Sequence, residues 1–343
     1  MSTFKLFAIT LLSLLFWTCG GSSDGKNKFS IGTNAKNNTV ALGETLQLTV
    51  NNPKKLTINS ITYSINGKTI SENFKVDNVK LGEQSIVAKI NYDDTSEEVS
   101  TKITILNNES PKIYDFKIIN EYPHDITSYT QGLEFYNGDL YESTGQYKES
   151  KLRKVNYKTG EVIKNVNLGN QYFAEGLTVL NGKVYQLTWR ESTGFVYDAA
   201  TLEKTSSFRY GKSKEGWGLC NDGKTLYKSD GTEYIWTLNP DTLVEMDNIQ
   251  VYHNRGKVIE LNELEWINGK IYANRYQKNG VAIINPINGA VEGVIDFSSL
   301  KDKVTQHPNL DVLNGIAYNP ETNTIFVTGK DWDKLFEVEV FVK

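Results

Sequence analysis

A repeated unit constrains the fold of this chain more than any other sequence feature. Each copy has an apolar segment, a tight turn of the Asn-Gly type and a second segment that ends in an aromatic residue. Asn-Gly and Asp-Gly between apolar runs favour β-hairpins, because a type I′ turn requires positive φ at both central residues. The copies are TQGLEFYNGDLY from Thr130, AEGLTVLNGKVY from Ala174, GWGLCNDGKTLY from Gly216, LNELEWINGKIY from Leu261 and LNGIAYNPETNTIF from Leu313.

One position of the unit recurs at the spacing of β-propeller blades. It lies immediately before the Gly-Leu pair or its equivalent, and it is filled by Gln131, Glu175, Trp217, Asn262 and Asn314. We call these five residues the ring. They follow one another at separations of 44, 42, 45 and 52 residues, a period typical of four-stranded blades that bury their faces against their neighbours.

The segment before the first unit predicts how the propeller closes. Lys112 to Asn120 has a strand pattern without a hairpin partner, whereas the last unit ends near Val340 with only three strands. Pairing the two would complete the fifth blade and remove a free sheet edge. The predicted fold class is therefore all-β, with a five-bladed β-propeller over residues 112–343.

Residues 28–108 predict a second, smaller domain. Short alternating strands recur through this stretch, with turn signals at Asn66-Gly67 and around Gly82, and a polar linker follows it. This pattern favours a small immunoglobulin-like β-sandwich that precedes the propeller. The stretch lacks the residue types of a catalytic site, so we interpret it as a spacer or adhesion module.

The N-terminus predicts export. Residues 1–18 contain Lys5 and then an apolar run that is too short to span a bilayer, as in a signal peptide, and Cys19 begins a polar tether over 19–27. This arrangement resembles a bacterial lipoprotein signal, in which the cysteine is lipidated and becomes the new N-terminus. We expect an exported lipoprotein of the bacterial cell envelope, in the periplasm or at the cell surface, held to the membrane only by its lipid anchor. The alternative is a secreted protein.

Charge and residue usage exclude several partners. A formal net charge of −4 without a basic cluster argues against nucleic acid. Cys220 is the only cysteine besides Cys19, so no intramolecular disulfide framework is available. The three histidines, His124, His253 and His307, form no metal-ligand spacing. We expect a monomer without a cofactor or catalytic metal, and the sequence leaves open a structural cation in the propeller channel.

The ring is predicted to form a site at one mouth of the central channel. The innermost strands of a propeller line its channel, and the flanking Gly-Leu is repeated while the ring residue differs in every copy. Counting back from the hairpin turns places Glu175 opposite Thr188 and Asn262 opposite Arg275. Trp189 and Tyr276, which follow these two partners directly, should reach the same mouth. Tyr129 and Phe173, two residues before the ring, and Lys330, at the end of the second strand of the last copy, should also reach it.

The segments that carry this site resemble a known enzyme family. YTQGL, YFAEGLTVLNGKVYQLTW, EGWGL, LNELEWINGKIYANRYQ and LNGIAYNPETNTIFVTGKDW are similar, in register from about 115 to 340, to the bacterial and plant type of glutaminyl-peptide cyclotransferase (glutamine cyclotransferase). The resemblance implies a five-bladed propeller acyltransferase. It also implies that peptides and proteins with an N-terminal Gln are the substrates, cyclised to pyroglutamyl with release of ammonia.

The resemblance also implies roles for individual residues. Glu175 would be the general acid/base, and Gln131, Asn262 and Lys330 would have polar catalytic or binding roles. Tyr276 departs from the family pattern, which usually has Trp there. The substrate-binding residues would be Tyr129, Phe173, Trp189, Trp217, Tyr276 and the ring residue Asn314.

Two other classes of function remain open at this stage. A propeller lactonase or similar hydrolase could hold Ca²⁺ with Glu175, Asn262 and Asn314, although Lys330 and the aromatic residues would crowd a cation. A non-catalytic binding propeller is the second, because fold does not imply function. Activity on a peptide with N-terminal Gln distinguishes all three.

Overall fold

A computed structural model of the protein describes residues 28–343. The signal peptide, the tether and the lipidation of Cys19 concern residues 1–27 and lie outside the described residues. Within residues 28–343, no helix has the length and apolar character needed to cross a membrane. Apart from a short 3₁₀ helix at Ser298–Lys303, the regular structure here is β, which confirms the all-β prediction.

Two β-sheets that share one core form the N-terminal part. Their strand orders are β1-β3-β6 and β2-β8-β7-β4-β5. Alternate residues point inward, so Leu46 and Leu48 of β3 pack in one cluster with Ile86, Ala88 and Ile90 of β7. The immunoglobulin-like topology and the domain boundaries stay predictions. The strands are β1 (Ser30–Thr33), β2 (Thr39–Ala41), β3 (Thr45–Asn51), β4 (Ile58–Ile65), β5 (Lys68–Ile70), β6 (Asn73–Lys75), β7 (Gly82–Tyr92) and β8 (Thr95–Leu106).

The remaining strands form five four-stranded blades, as the repeat predicts. Blade one is β10 (Thr130–Tyr136), β11 (Asp139–Thr144), β12 (Lys151–Asn156) and β13 (Glu161–Asn167); blade two is β14 (Ala174–Leu180), β15 (Lys183–Thr188), β16 (Thr193–Asp198) and β17 (Lys204–Arg209). Blade three is β18 (Leu219–Asn221), β19 (Leu226–Ser229), β20 (Tyr234–Leu238) and β21 (Glu245–Gln250), and a small hairpin of β22 (Tyr252–His253) and β23 (Gly256–Lys257) follows it. Blade four is β24 (Leu261–Ile267), β25 (Lys270–Arg275), β26 (Gly280–Ile284) and β27 (Val291–Asp296).

The fifth blade closes as predicted. Its strands are β28 (Leu313–Asn319), β29 (Thr324–Gly329), β30 (Lys334–Val342) and, on the outside, β9 (Lys112–Pro123) from the start of the propeller. β9 pairs antiparallel with β30 over nearly its whole length, and its first residues also pair in parallel with β27 of blade four. The outer edge of blade five is therefore not free, and blades four and five form one eight-stranded sheet.

The ring residues of four blades lie in β-bulges, which corrects the predicted register. The hairpin count placed Thr188 and Arg275 opposite the ring residues of blades two and four. In the structure Thr188 pairs with Ala174 and Arg275 with Leu261, and the register then shifts before regular pairing resumes. The same shift follows the first residue of β10 and of β28. Each bulge inserts one extra residue into the innermost strand and changes the direction of a side chain there. The ring residues therefore do not follow the regular in–out alternation of a strand.

In blades one to three, glycine follows the ring residue because the neighbouring blade touches it backbone to backbone, whereas Glu263 follows it in blade four. Gly176 N donates to Trp217 O at 2.7 Å. A Cβ on Gly176 would lie 2.7 Å from the α-carbon of Gly218, and one on Gly218 would collide with the carbonyl of Asn262. Any larger residue here would push the innermost strands apart.

Three buried carboxyl groups link the innermost strands farther down the channel. Glu134 of β10 accepts from the Val179 N–H at 3.0 Å and from the Thr178 hydroxyl at 2.5 Å. Glu263 and Glu265 of β24 accept from backbone N–H groups of β28 at 3.0 and 2.8 Å. Burial raises the pKa of all three carboxyl groups, that of Glu134 to about 7.

Glu134→Gln should stabilise the protein at pH 8 and have little effect near pH 4. The folded pKa of Glu134 is about 7 and its ordinary value is 4.5. The folded state therefore binds this proton more tightly, and its contribution to stability declines as pH rises between those two values. We expect a gain of ~1–3 kcal/mol at pH 8, measured by urea unfolding at both pH values. The exposed Glu161→Gln on β13 is the control, and an effect of Glu134→Gln that is equal at both pH values would contradict the assignment.

A truncated protein that begins at residue 110 should fold and keep its site, whereas one that begins at residue 125 should not. The first retains β9, and the second loses the strand that covers β30. Tyr252 and Ala290 of the propeller pack into the core of the N-terminal sheets, so the first truncation should cost a few degrees of melting temperature. The second should cost about 10 °C or more, measured by calorimetry. Equal melting temperatures for the two proteins would contradict the role of β9.

Candidate active site

A cavity of about 170 Å³ lies at the end of the channel where the innermost strands begin. The sequence analysis proposed every residue that lines it, and their individual catalytic and binding roles stay predictions. The lining consists of Tyr129, Gln131, Phe173, Glu175, Trp189, Trp217, Asn262, Tyr276 and Lys330.

Equivalent backbone positions of the blades place these side chains at one mouth. Trp189, Tyr276 and Lys330 each follow the second strand of their blade directly. The backbone N–H of each donates, at 2.9 Å, to the carbonyl of the residue two before the ring: Phe173, Glu260 and Val312, respectively. Because the backbone contact is the same in these three blades, the identities of the residues differentiate their positions in the site.

Asn314 is buried but does not line the cavity. Its Nδ2 donates to Gln131 Oε1 at 3.1 Å and to the Thr130 carbonyl at 2.9 Å. The amide oxygen of Gln131 is thereby occupied, and the amide NH₂ of Gln131 remains as a donor. The structure therefore places Asn314 behind Gln131, where it orients that side chain, rather than among the residues in the lining.

Glu175 is the acidic group of the cavity. It is only 4% exposed, and its Oε2 has no hydrogen-bond partner among residues 28–343. Burial raises the pKa of this carboxyl group well above its ordinary value, and Glu215 and Glu191 add to the rise, whereas Lys330 opposes it. Burial thus favours the protonated form of this carboxyl group more than water does.

Lys330 is the basic group of the cavity and is 2% exposed. Its Nζ lies 4.5 Å from the centre of the Tyr129 ring and 5.2 Å from that of Tyr276. These rings favour the ammonium form through cation–π attraction. Burial lowers the pKa of Lys330, and the nearby carboxylates of Glu175 and Asp311 act in the opposite direction. The cavity thus has a basic group that is shielded from water and faces two aromatic rings.

Aromatic rings enclose the polar groups in two sets. The centre of the Phe173 ring lies 6.2 Å from that of Tyr129, in an edge-to-face contact, and 5.5 Å from that of Trp189. On the other side of the cavity, Trp217 and Tyr276 are in edge-to-face contact, with their ring centres 5.8 Å apart. Tyr276, which replaces the Trp usual in the family pattern, therefore still completes an aromatic wall.

Asn262 presents a second unpaired acceptor. It is 2% exposed, and its Oδ1, like Glu175 Oε2, has no hydrogen-bond partner within the described part of the chain. Its backbone is held because its carbonyl accepts from the Ser229 hydroxyl at 2.7 Å. Buried acceptors without partners are costly, so both atoms favour a ligand that brings N–H donors into the cavity.

The sequence analysis missed Glu215. One oxygen of this carboxylate accepts from the indole N–H groups of both Trp189 and Trp217. A signal was present, because Glu215 stands two residues before the ring residue of blade three. Tyr129 and Phe173 were selected from that same position in blades one and two.

No metal centre is formed by the described residues. Within residues 28–343, no three or more His, Cys, Asp or Glu side chains are grouped so that they could hold a metal ion. His124 instead bonds to Glu142 and to the Trp332 carbonyl, and so connects blades one and five.

Fold and cavity together define a five-bladed β-propeller with a polar, aromatic-walled site at one mouth of its channel. The glutamine cyclotransferase family model matches residues 86–340. The chain is 41% identical to a glutaminyl-peptide cyclotransferase of Arabidopsis thaliana over 234 residues, which cover 67% of this chain and 73% of that protein. It matches the crystal structure of Myxococcus xanthus glutaminyl cyclase with a TM-score of 0.63 and 38% identity, over 68% of this chain and 99% of that one. The chain belongs to the glutamine cyclotransferase family.

Lys330→Gln should raise the pKa of Glu175 further. The reason is that Lys330 supplies the positive charge that favours the ionised carboxylate. Titration of the labelled side-chain carboxyl carbon by NMR measures this, with Glu175→Gln used to assign the resonance. Lys303→Gln removes the same charge from the exposed face of the 3₁₀ helix and should leave the titration unchanged. An unchanged pKa in Lys330→Gln would show that the two groups are not coupled.

Proposed function

We propose that this protein cyclises N-terminal glutaminyl residues of peptides and proteins to pyroglutamyl residues and releases ammonia, with Glu175 as the general acid/base. The observation that carries the proposal is the pair of unpaired buried acceptors, Glu175 Oε2 and Asn262 Oδ1, beside the ammonium group of Lys330. An N-terminal Gln offers N–H donors from both its α-amine and its carboxamide. Its carboxamide oxygen would meet Lys330 and the amide NH₂ of Gln131.

The cavity suits the terminal residue of a substrate rather than a longer segment. Its volume of about 170 Å³ is below that of pockets for drug-sized ligands, which begin at about 300 Å³. The rings of Phe173, Trp189 and Trp217 would hold the Gln side chain folded back toward its own amine. Holding amine and carbonyl in attack geometry supplies up to ~7–11 kcal/mol in ideal intramolecular reactions.

Proton transfer is the role proposed for Glu175. The free α-amine of a peptide has a pKa of about 7.7–8.0, so part of it is already neutral and able to attack the carboxamide carbon. As the new C–N bond forms, Glu175 takes the proton that the amine nitrogen loses. It then donates that proton to the carboxamide nitrogen, the old C–N bond breaks and ammonia leaves. The same proton is passed on, so the carboxylate returns to its initial state.

Stabilisation of the oxyanion is the role proposed for Lys330 and Gln131. Negative charge develops on the carboxamide oxygen in the tetrahedral intermediate, and preorganised donors in a dry site stabilise it strongly. Asn314 contributes indirectly, since its hydrogen bond to Gln131 Oε1 directs the NH₂ of that amide away from itself. No step in this scheme requires a metal or a cofactor.

The protein would act as a monomer on exported peptides, anchored through Cys19 at the bacterial cell envelope, and a structural cation in the channel would not take part in the reaction. The supporting feature is the sequence of residues 1–27. Radiolabelled palmitate incorporation that depends on Cys19 tests the anchor.

Ammonia release from a short peptide with N-terminal Gln tests the proposed activity. The product should be lighter by the mass of ammonia and blocked to Edman degradation, and a peptide with N-terminal Asn should react far more slowly. Turnover should survive exhaustive chelation. No reaction of the Gln peptide, or hydrolysis of a lactone that Ca²⁺ restores, would reject the proposal in favour of a binding or metal-dependent propeller.

Glu175→Gln should lower kcat by a factor on the order of 10²–10⁴, because the amide retains the size of the carboxyl group but cannot carry a proton. KM should change little, since the aromatic walls at Phe173, Trp189 and Trp217 are untouched. Stability at pH 8 should hold or increase, because an unpaired buried carboxylate is removed. Steady-state kinetics and a melting curve measure both effects. A variant that melts normally and retains more than about a third of the wild-type kcat would assign proton transfer to another group.

A further inference from the structure

A single carboxylate oxygen connects two walls of the cavity. Glu215 Oε2 accepts from Trp189 Nε1 at 2.8 Å and from Trp217 Nε1 at 2.9 Å. Trp189 follows β15 of blade two, whereas Trp217 precedes β18 of blade three. The two indoles therefore belong to different sheets, and Glu215 joins their polar edges.

The other side of the same carboxylate is also occupied. Glu215 Oε1 accepts from Arg190 Nε at 3.2 Å, and the guanidinium carbon of Arg190 lies 3.7 Å from the centre of the Trp189 ring. The Trp189 indole is thus held at its N–H by Glu215 and on its face by Arg190. The Glu215 side chain is about a third exposed, so it sits at the rim of the cavity and outside its lining.

We propose that Glu215 is a positioning residue that sets the distance between the Trp189 and Trp217 walls and thereby the shape of the slot for the substrate's terminal side chain. This inference rests on the proposed function. A folded-back Gln side chain loses rotational freedom when it binds, and a preformed slot lowers that entropic cost. Without such contacts, the indoles would rotate about their side-chain bonds, and each binding event would have to order them.

Geometry explains why a side chain of this length with an oxygen acceptor is needed at this position. Two indole N–H donors converge on one acceptor, and an ionised oxygen forms stronger hydrogen bonds than a neutral one. Aspartate is one methylene shorter, so it cannot reach both indoles from the same backbone position. Glutamine retains the length and a carbonyl oxygen for both donors but lacks the charge.

The charge of Glu215 has a second effect, which serves as an internal control. The nearby negative charge helps to raise the pKa of Glu175, after burial and against Lys330. Removing that charge should lower the pKa of Glu175, while shortening the side chain should not. The titratable groups that interact with Glu175 are Lys330, Glu215, Glu191, Tyr129, Tyr147 and Tyr210.

Two variants separate reach from charge. Glu215→Asp should raise KM for a Gln peptide by about ten-fold and leave the pH–rate profile nearly unchanged. Glu215→Gln should leave KM within about two-fold of wild type and move the acid limb of kcat/KM to lower pH, because a base with a lowered pKa is ionised at lower pH. The substrate amine contributes equally to every profile, so only differences between variants are interpreted.

Glu191→Gln is the matched control. Glu191 also raises the pKa of Glu175, but its carboxylate accepts from the Tyr147 hydroxyl and from neither indole. This variant should move the acid limb in the same direction as Glu215→Gln and leave KM unchanged. A KM increase as large as that of Glu215→Asp would contradict the assignment to the indoles.

Indole NMR provides a readout that does not depend on turnover. In the wild type and in Glu215→Gln, the Hε1 resonances of Trp189 and Trp217 should lie downfield and exchange slowly with solvent. In Glu215→Asp at least one should move upfield and exchange faster. If the wild type released no ammonia, the proposed activity would fail, yet these resonances would still test the positioning role.

The outcomes that overturn the inference are specific. One is a Glu215→Asp variant with wild-type KM and unchanged indole resonances. Another is a Glu215→Gln variant whose KM rises as much as that of Glu215→Asp while both melt normally, which would assign the effect to charge rather than to the shared hydrogen bonds. Either result would reduce Glu215 to a surface residue of the cavity rim.

Discussion

The close approach of the five innermost strands around the channel is the constraint on which the rest of this structure depends. At the ring level the blades touch backbone to backbone, as in the hydrogen bond from Gly176 N to Trp217 O. In blades one to three, such contact leaves no room for a side chain at the following position, hence the glycines there. Local register shifts accompany it in β10, β14, β24 and β28. The close packing of the strands at the channel and the site formed by the ring residues therefore occur at the same level of the propeller.

Desolvation at this axis gives the site its chemical character. Glu175 and Lys330 face the same small cavity, and burial shifts the pKa of each toward its neutral form. Each charge partly offsets the burial of the other, and the rings around them exclude water. Groups tuned in this way suit the proposed transfer of a proton from the amine to the leaving ammonia. Deeper in the channel, the buried Glu134, Glu263 and Glu265 instead accept hydrogen bonds from the next blade.

The aromatic walls depend on groups outside the cavity. Tyr129 donates through its hydroxyl to Asp311 at 3.0 Å, and the two indoles meet at Glu215. Rings alone provide surface, but such polar contacts at their edges fix their orientation. Under the proposed function, a slot built in this way would select the substrate by shape.

Local sequence patterns were sufficient for the blade count, the closing strand and the cavity lining. Turn chemistry and two-residue alternation act over a few residues, and a unit repeated at a constant period must place equivalent positions at equivalent points of a ring. The bulges, the indirect place of Asn314 and the role of Glu215 did not follow from those patterns. The contacts of Asn314 with Gln131 and of Glu215 with Trp189 cross from one blade to the next. Alternation along one strand carries no information about such contacts, because only the assembled ring decides which side chains meet across the channel.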